Sequence, residues 1–240
     1  LLHDVAKGKG AIRLKAGHEL MHDVPRLFAA RKRVNVRDSR KPGGWTYDEV
    51  AALAVSELTR AGSCLVVVNT KDAARQIFKH CLQSLANECV FHLSTDMCPA
   101  HRKAVLGRKQ DSDDSTVIGR LALGLPVLCV STQLIEAGVD VDFGVVIRSL
   151  AGLDSIAQAA GRCNRNGRSE TGTVHVVDQV DERVGKLIDI AIGQEVTRRI
   201  LDDFKANPDR YSHNLVSPQA LQDYYNYFFF KRAEEMSYPV

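Results

Sequence analysis

The sequence predicts an α/β fold: a parallel sheet with helices on both faces, extended by helices towards the C-terminal end. Two observations carry this. Short unbroken apolar runs, such as "CLVVV" at 64–68 and "VLCV" at 127–130, have the composition of strands buried on both faces. Stretches with helix caps and helical periodicity separate these runs, and strands alternating with helices make parallel sheets.

The elements follow in order. Residues 1–45 read as a basic, histidine-rich linker or the end of a preceding region, because "DSRKPGG" at 38–44 carries turn residues without periodicity. Order is expected from Thr46. "TYDE" at 46–49 is a capping box, in which Thr46 caps a helix and Glu49 reaches back. That helix ends near Arg60, before Ala61 and Gly62. The first strand is 64–68, a helix covers 72–86, and "VFHL" at 90–93 is the second strand. Pro99 suits the first turn of the next helix. A polar loop at 109–115 leads to a short helix and the third strand at 127–130. "VVIR" at 145–148 is the fourth strand and "TVHVV" at 173–177 the fifth; between them Asp154 caps a helix over 155–163. A long helix over 181–205 stops at "NPD", 207–209. A last helix over 217–232 has Pro218 in its first turn and an aromatic run from Tyr224 to Phe230, too apolar for a free tail. The chain thus divides into 1–45, a main domain at 46–206, and a helical segment at 207–240 leading towards a further domain.

Composition narrows the function classes. At 45% apolar and 25% charged residues, the 240-residue chain has an ordinary globular profile. Its net charge of +3 is too mild to identify a nucleic-acid partner by itself. The distribution says more: Arg148, Arg162, Arg165 and Arg168 fall in a window holding one acid, Asp154. Six cysteines without C-x-x-C spacing read as reduced thiols of a cytoplasmic protein. No apolar run approaches the length of a membrane span, and the N-terminus has no signal-peptide pattern, so no membrane partner is expected. The sequence opens at Leu1 without a methionine and reads as part of a longer chain.

The chemistry concentrates in segments that follow strand ends, where parallel sheets bind ligands. Asn69 and Thr70 follow the first strand, Ser94 and Thr95 the second, and Ser131 and Thr132 the third. In "STQLIEAGVDVD" the Ser131 and Thr132 amides open a short helix whose N-terminus favours an anion. Gly138 permits a tight turn, and Asp140 is placed to accept from a ribose hydroxyl. In "QAAGRCNRNGR", Gln158 and Arg162 share a helix face, and Arg165 lies close enough for both arginines to reach one anion. Guanidinium is the right donor because its fork holds phosphate bidentately and keeps its charge. Two such groups at a γ-phosphate offset the charge that develops during phosphoryl transfer. The acid near the arginines then addresses the sugar while they address the phosphates.

These residues resemble a known family. "STQLIEAGVDVDF" and "AGRCNRNGR" are similar to motifs V and VI of superfamily 2 helicases, and "VVVNT" sits where motif IV would. "HLSTDMCPAHR", with the glutamine of "QLIEAGVD" and the "RCNR" ending, resembles the CRISPR-associated helicase-nuclease of type I systems. The similarity covers roughly 46–177. It implies a RecA-like second motor lobe of an ATP-dependent, single-stranded DNA translocase moving 3′ to 5′. Arg162 and Arg165 would be arginine fingers, with Gly138, Asp140 and Gln158 completing the nucleotide site. Asn69, Thr70, Ser94, Thr95, Ser131 and Thr132 would contact the DNA backbone, which positions DNA without reading its sequence. The implied partners are a first RecA-like lobe, an HD nuclease domain and the CRISPR RNA-guided surveillance complex.

The departures matter as much. There is no G-x-x-x-x-G-K-[ST] phosphate loop; "GKGA" at 8–11 and "GKL" at 185–187 lack the hydroxyl residue. "DEVA" at 48–51 imitates a metal-binding acid box but opens a helix. ATP and Mg²⁺ therefore belong to a complete two-lobe protein, with neither expected on this chain alone, which should be inactive. "LLHDVAK" at 1–7, near His18, His22 and Asp23, is similar to an HD signature, yet it stands where a linker between lobes is expected. Two alternatives stay open: a lobe of another superfamily 2 motor acting on RNA or DNA, and a non-catalytic α/β module that binds a phosphorylated ligand or a protein.

Overall fold

The computed structural model describes Asp23, Arg26 and residues 32–108, 113–136, 138–185 and 187–236. The signature-like segment at 1–7 and its neighbouring histidines lie outside these residues. Six strands form one sheet in the order β1-β6-β5-β2-β4-β3, and every pairing is parallel. They are β1 (Val34–Asp38), β2 (Ser63–Val68), β3 (Val90–Leu93), β4 (Val127–Thr132), β5 (Val145–Ser149) and β6 (Gly172–Val177). Seven α-helices accompany them among the described residues: α1 (Tyr47–Ala61), α2 (Lys71–Leu82), α3 (Pro99–Leu106), α4 (Val117–Leu123), α5 (Leu153–Ala160), α6 (Ile188–Ala206) and α7 (Pro218–Lys231).

The two-sided burial inferred for the apolar runs holds. Leu65 and Val67 of β2 join one core with Cys129, Val146, Ile156 and Ile200. Cys64, Val66 and Val68 point the other way, into a second core under Ala51 and Leu58 of α1 and Ile77 of α2. Successive strand residues face opposite sides, so one unbroken run feeds both layers. At the start of α1 the Glu49 carboxylate accepts from the Thr46 N–H at 3.0 Å, the return half of the capping box. The Thr46 hydroxyl itself donates to Asp48.

Three expectations are corrected. Order begins before Thr46: β1 pairs in register with β6, from Val34 opposite Gly172 to Asp38 opposite Val176. Its alternation of Val34 and Val36 with Asn35 and Arg37 suits an edge strand with one buried face, here Val36. The long helix starts at Ile188, not 181, because Glu182 is turned into the sheet end. The helix after β5 runs from Leu153 to Ala160 behind an N-terminal Gly152, so Asp154 sits in its first turn and Arg162 lies beyond its end. The aromatic run packs inward at Tyr224, whose ring stacks on Phe228, while Phe230 points to solvent.

Candidate functional site

The arginine turn is built from one bridge. Cys163 pairs with Phe143 just before β5: the Phe143 N–H donates to the Arg162 carbonyl and the Asn164 N–H to the Phe143 carbonyl, each at 2.9 Å. Helix α5 has therefore carried the chain back to the amino edge of the sheet. This corrects the expectation that the segment opens at a strand's carboxyl end. Asn164 adopts a left-handed φ of 46°, which asparagine tolerates, and its amide ties the turn to the Arg33 and Ser169 carbonyls. The Asp142 carboxylate accepts from the Arg165 N–H at 2.7 Å and the Asn166 N–H at 3.2 Å. One acid thus organises the loop that displays the arginines.

Arg165 is 44% exposed, with its Nε 3.4 Å from the half-exposed Asp140 carboxylate. Arg162 stands differently. Its Nε donates to the Ile135 carbonyl at 3.0 Å and its second guanidinium nitrogen to the Glu136 carbonyl at 2.6 Å. Burial, and then the charge of Arg165, push its pKa down, with Asp140 and Glu136 opposing. Gly138 has φ +73° and open space around it, so backbone conformation alone calls for glycine there. Gln158 is exposed on α5. Gly138, Asp140, Arg162 and Arg165 therefore share one region, which offers guanidinium donors beside a carboxylate acceptor. The shared helix face expected for Gln158 and Arg162 is absent, because α5 ends before Arg162.

The carboxyl edge holds a second constellation. Asn69 is buried: its side-chain amide donates to the Leu150 carbonyl at 2.9 Å and to Glu182 Oε2 at 2.8 Å, and its Oδ1 accepts from Arg148 at 2.8 Å. Glu182 Oε1 also accepts from the backbone N–H groups of Asn69 and Thr70, at 2.6 and 2.8 Å. Arg148, on β5, is fully buried. Its Nε lies 2.9 Å from Glu136 Oε1 as an ion pair, without the alignment of a hydrogen bond. Its other nitrogens donate to the Ser149 carbonyl and to Ser155 Oγ, each at 2.8 Å. The Ser155 hydroxyl in turn contacts both Glu136 carboxylate oxygens. Burial raises the pKa of Glu136 and of Glu182, and in each case the Arg148 charge opposes it.

Of the six residues expected at a nucleic-acid backbone, Thr70 and Thr95 reach the surface in this conformation. Thr70 also caps α2, accepting from the Ala73 N–H at 3.2 Å. Asn69, Ser94, Ser131 and Thr132 are withdrawn from solvent, and the Ser131 hydroxyl donates to the Thr132 carbonyl. Their side chains meet a phosphate only if these loops rearrange. Sequence reasoning overlooked Arg148, Glu136, Ser155 and Glu182. The available signal was an arginine ending an otherwise apolar strand with an acid in the preceding strand-end loop: a charge buried on both faces needs a partner.

Residues 60–168 match a protein-family model described as CRISPR-associated nuclease/helicase Cas3, C-terminal. Two curated relatives carry the name CRISPR-associated nuclease/helicase Cas3. The one from Haloferax volcanii is 60% identical over 42 residues, which are 18% of this chain and 4% of the relative. The one from Streptococcus thermophilus is 24% identical over 147 residues, 61% of this chain and 15% of the relative. Among solved structures, that of T. fusca Cas3 with ATP superposes with a TM-score of 0.58 at 18% identity, covering 85% of this chain and 26% of that one. At that identity the superposition speaks for the fold. The chain spans a small part of each of these proteins.

Proposed function

We propose that this chain, a C-terminal helicase lobe of the Cas3 family, is the second motor lobe of an ATP-dependent single-stranded DNA translocase acting in CRISPR type I interference. The observation that carries the reading is the exposed pairing of Arg165 with Asp140 at 3.4 Å, flanked by Arg162. A nucleotide needs both a donor for phosphate oxygens and an acceptor for a sugar hydroxyl, and this region offers them side by side.

The donor set fits a nucleotide held mainly by another lobe. Arg165 is free to rotate from Asp140 towards a phosphate, and Arg162 must leave two carbonyls to do the same. ATP, when bound, supplies the phosphoanhydride whose cleavage drives movement. Asp140, released from Arg165, would accept from the ribose, and Gly138 would let the backbone turn closely around it. Mg²⁺ is assigned to the lobe carrying the phosphate loop. On the carboxyl edge, Thr70, Thr95 and neighbouring backbone N–H groups would hold DNA phosphates, giving weak, salt-sensitive and sequence-indifferent binding. The proposed partners are the first RecA-like lobe, the HD nuclease domain, single-stranded DNA and the RNA-guided surveillance complex.

The test is ATP turnover, with single-stranded DNA, by a protein carrying both lobes. Arg162→Ala and Arg165→Ala should each lower it by roughly 10³- to 10⁵-fold, the range of arginine-finger losses. Normal turnover in both variants would overturn the reading and favour a non-catalytic phosphate-binding module.

A further inference from the structure

We infer that Arg148 is a positioning residue that couples the nucleotide-facing arginine turn to the DNA-facing loop through a buried relay of Glu136, Ser155, Asn69 and Glu182. The functional half of the inference rests on the motor reading above; the physical half does not.

The relay is continuous. Arg162 holds the backbone carbonyls of Ile135 and Glu136. The Glu136 carboxylate, on the same short turn, holds Arg148 and Ser155. Arg148 holds Asn69 Oδ1. Asn69 holds Glu182, which also gathers the N–H groups of Asn69 and Thr70 at the start of α2. If Arg162 swings towards a phosphate, two carbonyls at 135 and 136 lose their donor and the turn must shift. That shift displaces the carboxylate against which Arg148 is set.

Transmission needs an element with two arrangements, and charge supplies one. Arg148 is a single buried cation acting on two buried carboxylates, Glu136 and Glu182. It contacts Glu136 directly and reaches Glu182 only through Asn69. When Glu136 moves, the guanidinium gains by turning towards Glu182, and Asn69 must then reorganise. Asn69 and Thr70 cannot shift without changing what α2 presents at the carboxyl edge. Packing alone would not require this set: Glu136, Asn69 and Ser155, from three segments, meet one buried arginine, with Glu182 behind Asn69, where apolar residues would fill the space at less cost.

Amide NMR shifts of the 240-residue chain test the physical half. Arg162→Lys should shift the Asn69 and Thr70 N–H signals, and the same substitution in a Glu136→Gln background should leave them in place. If Glu136→Gln disturbs folding, Ser155→Ala serves as the background. Absence of the shifts in the otherwise wild-type chain, or their persistence in both backgrounds, overturns the relay whatever the protein does. In a two-lobe protein, Glu136→Gln should lower the ratio of DNA-stimulated to basal ATP turnover by about tenfold, within the usual span of coupling energies. Basal turnover and DNA affinity should stay within about twofold, well below that span. An unchanged ratio, or an equal loss of basal and stimulated turnover, overturns the coupling role. If the unaltered protein shows no DNA-stimulated turnover, the motor reading fails while the NMR result still decides the relay.

Discussion

Arg148 and Glu136 meet at 2.9 Å with 0% and 7% of their side chains exposed, so neither charge has water to fall back on. Removing one partner leaves the other uncompensated. Glu136→Ala should cost about 3–5 kcal/mol, the usual result of breaking a buried pair. The double change Arg148→Met with Glu136→Leu should recover only part of that loss, because the buried Glu182 then lacks its cation. Urea denaturation of the three chains checks the ordering; a double variant as unstable as Glu136→Ala would contradict it.

The two arginines of the turn should separate in stability although they share a proposed role. Arg165 is exposed beside Asp140, whereas Arg162 is half-buried and donates to two carbonyls. Arg165→Ala should change unfolding free energy by no more than about 0.5 kcal/mol, as for an exposed pair. Arg162→Ala, which strips the donors from two backbone acceptors, should cost about 1–2 kcal/mol. Thermal or urea melts of the single variants measure the difference.

Glu182 should leave a signature in pH. Burial raises its folded pKa, against the pull of Arg148 and the Asn69 and Thr70 N–H groups. An acid whose folded pKa lies above its unfolded value binds protons more readily when folded. Its contribution to stability therefore grows as pH falls from above the folded pKa towards the unfolded one, and shrinks as pH rises. Wild type should gain stability relative to Glu182→Gln as melts move from pH 7 to about 4.5, the ordinary range for a glutamate. A constant difference across that window would show no such shift.

How much of this was legible depended on the local signal. β2 and β4 were plain because "CLVVV" and "VLCV" are apolar without interruption, which only a strand buried on both faces requires. β1 was missed because "VNVRD" has two apolar residues and its partner, β6, lies far along the chain. Residues 181–187 read as the start of α6, but Glu182 serves the sheet edge instead, a tertiary demand with no local mark. The proximity of Arg162 and Arg165 to Asp140 was legible because their spacing is tied to a motif. The burial of Asn69 and Ser131 was not: a polar residue after a strand reads alike whether it faces inwards or outwards.

Thiol chemistry should pick out one residue. Of the six cysteines, Cys98 at the start of α3 is exposed and the other five are buried. Burial pushes Cys81, Cys129 and Cys163 up to about 12, suppressing the reactive thiolate. A thiol reagent should label one equivalent in the native chain and six after denaturation, and Cys98→Ser should abolish the native label. Native labelling of Cys163 would mean that the contact between the arginine turn and Phe143 opens.

The pairing of β1 with β6 also has a consequence for the order in which a ribosome can finish this sheet. Among the described strands, the one that emerges first waits for the one that emerges last, since Val36 of β1 pairs there with Val174 of β6. Arg33, just ahead of it, then receives the Asn164 amide and the Gly172 N–H at its carbonyl and donates to the Arg165 carbonyl. The seam between β1 and β6 therefore adds a second brace to the arginine turn, beside that of Asp142 and Phe143. A nascent chain arrested before residue 172 would keep the Asp142 and Phe143 contacts of the turn but would lack the seam that fixes Arg33 against it.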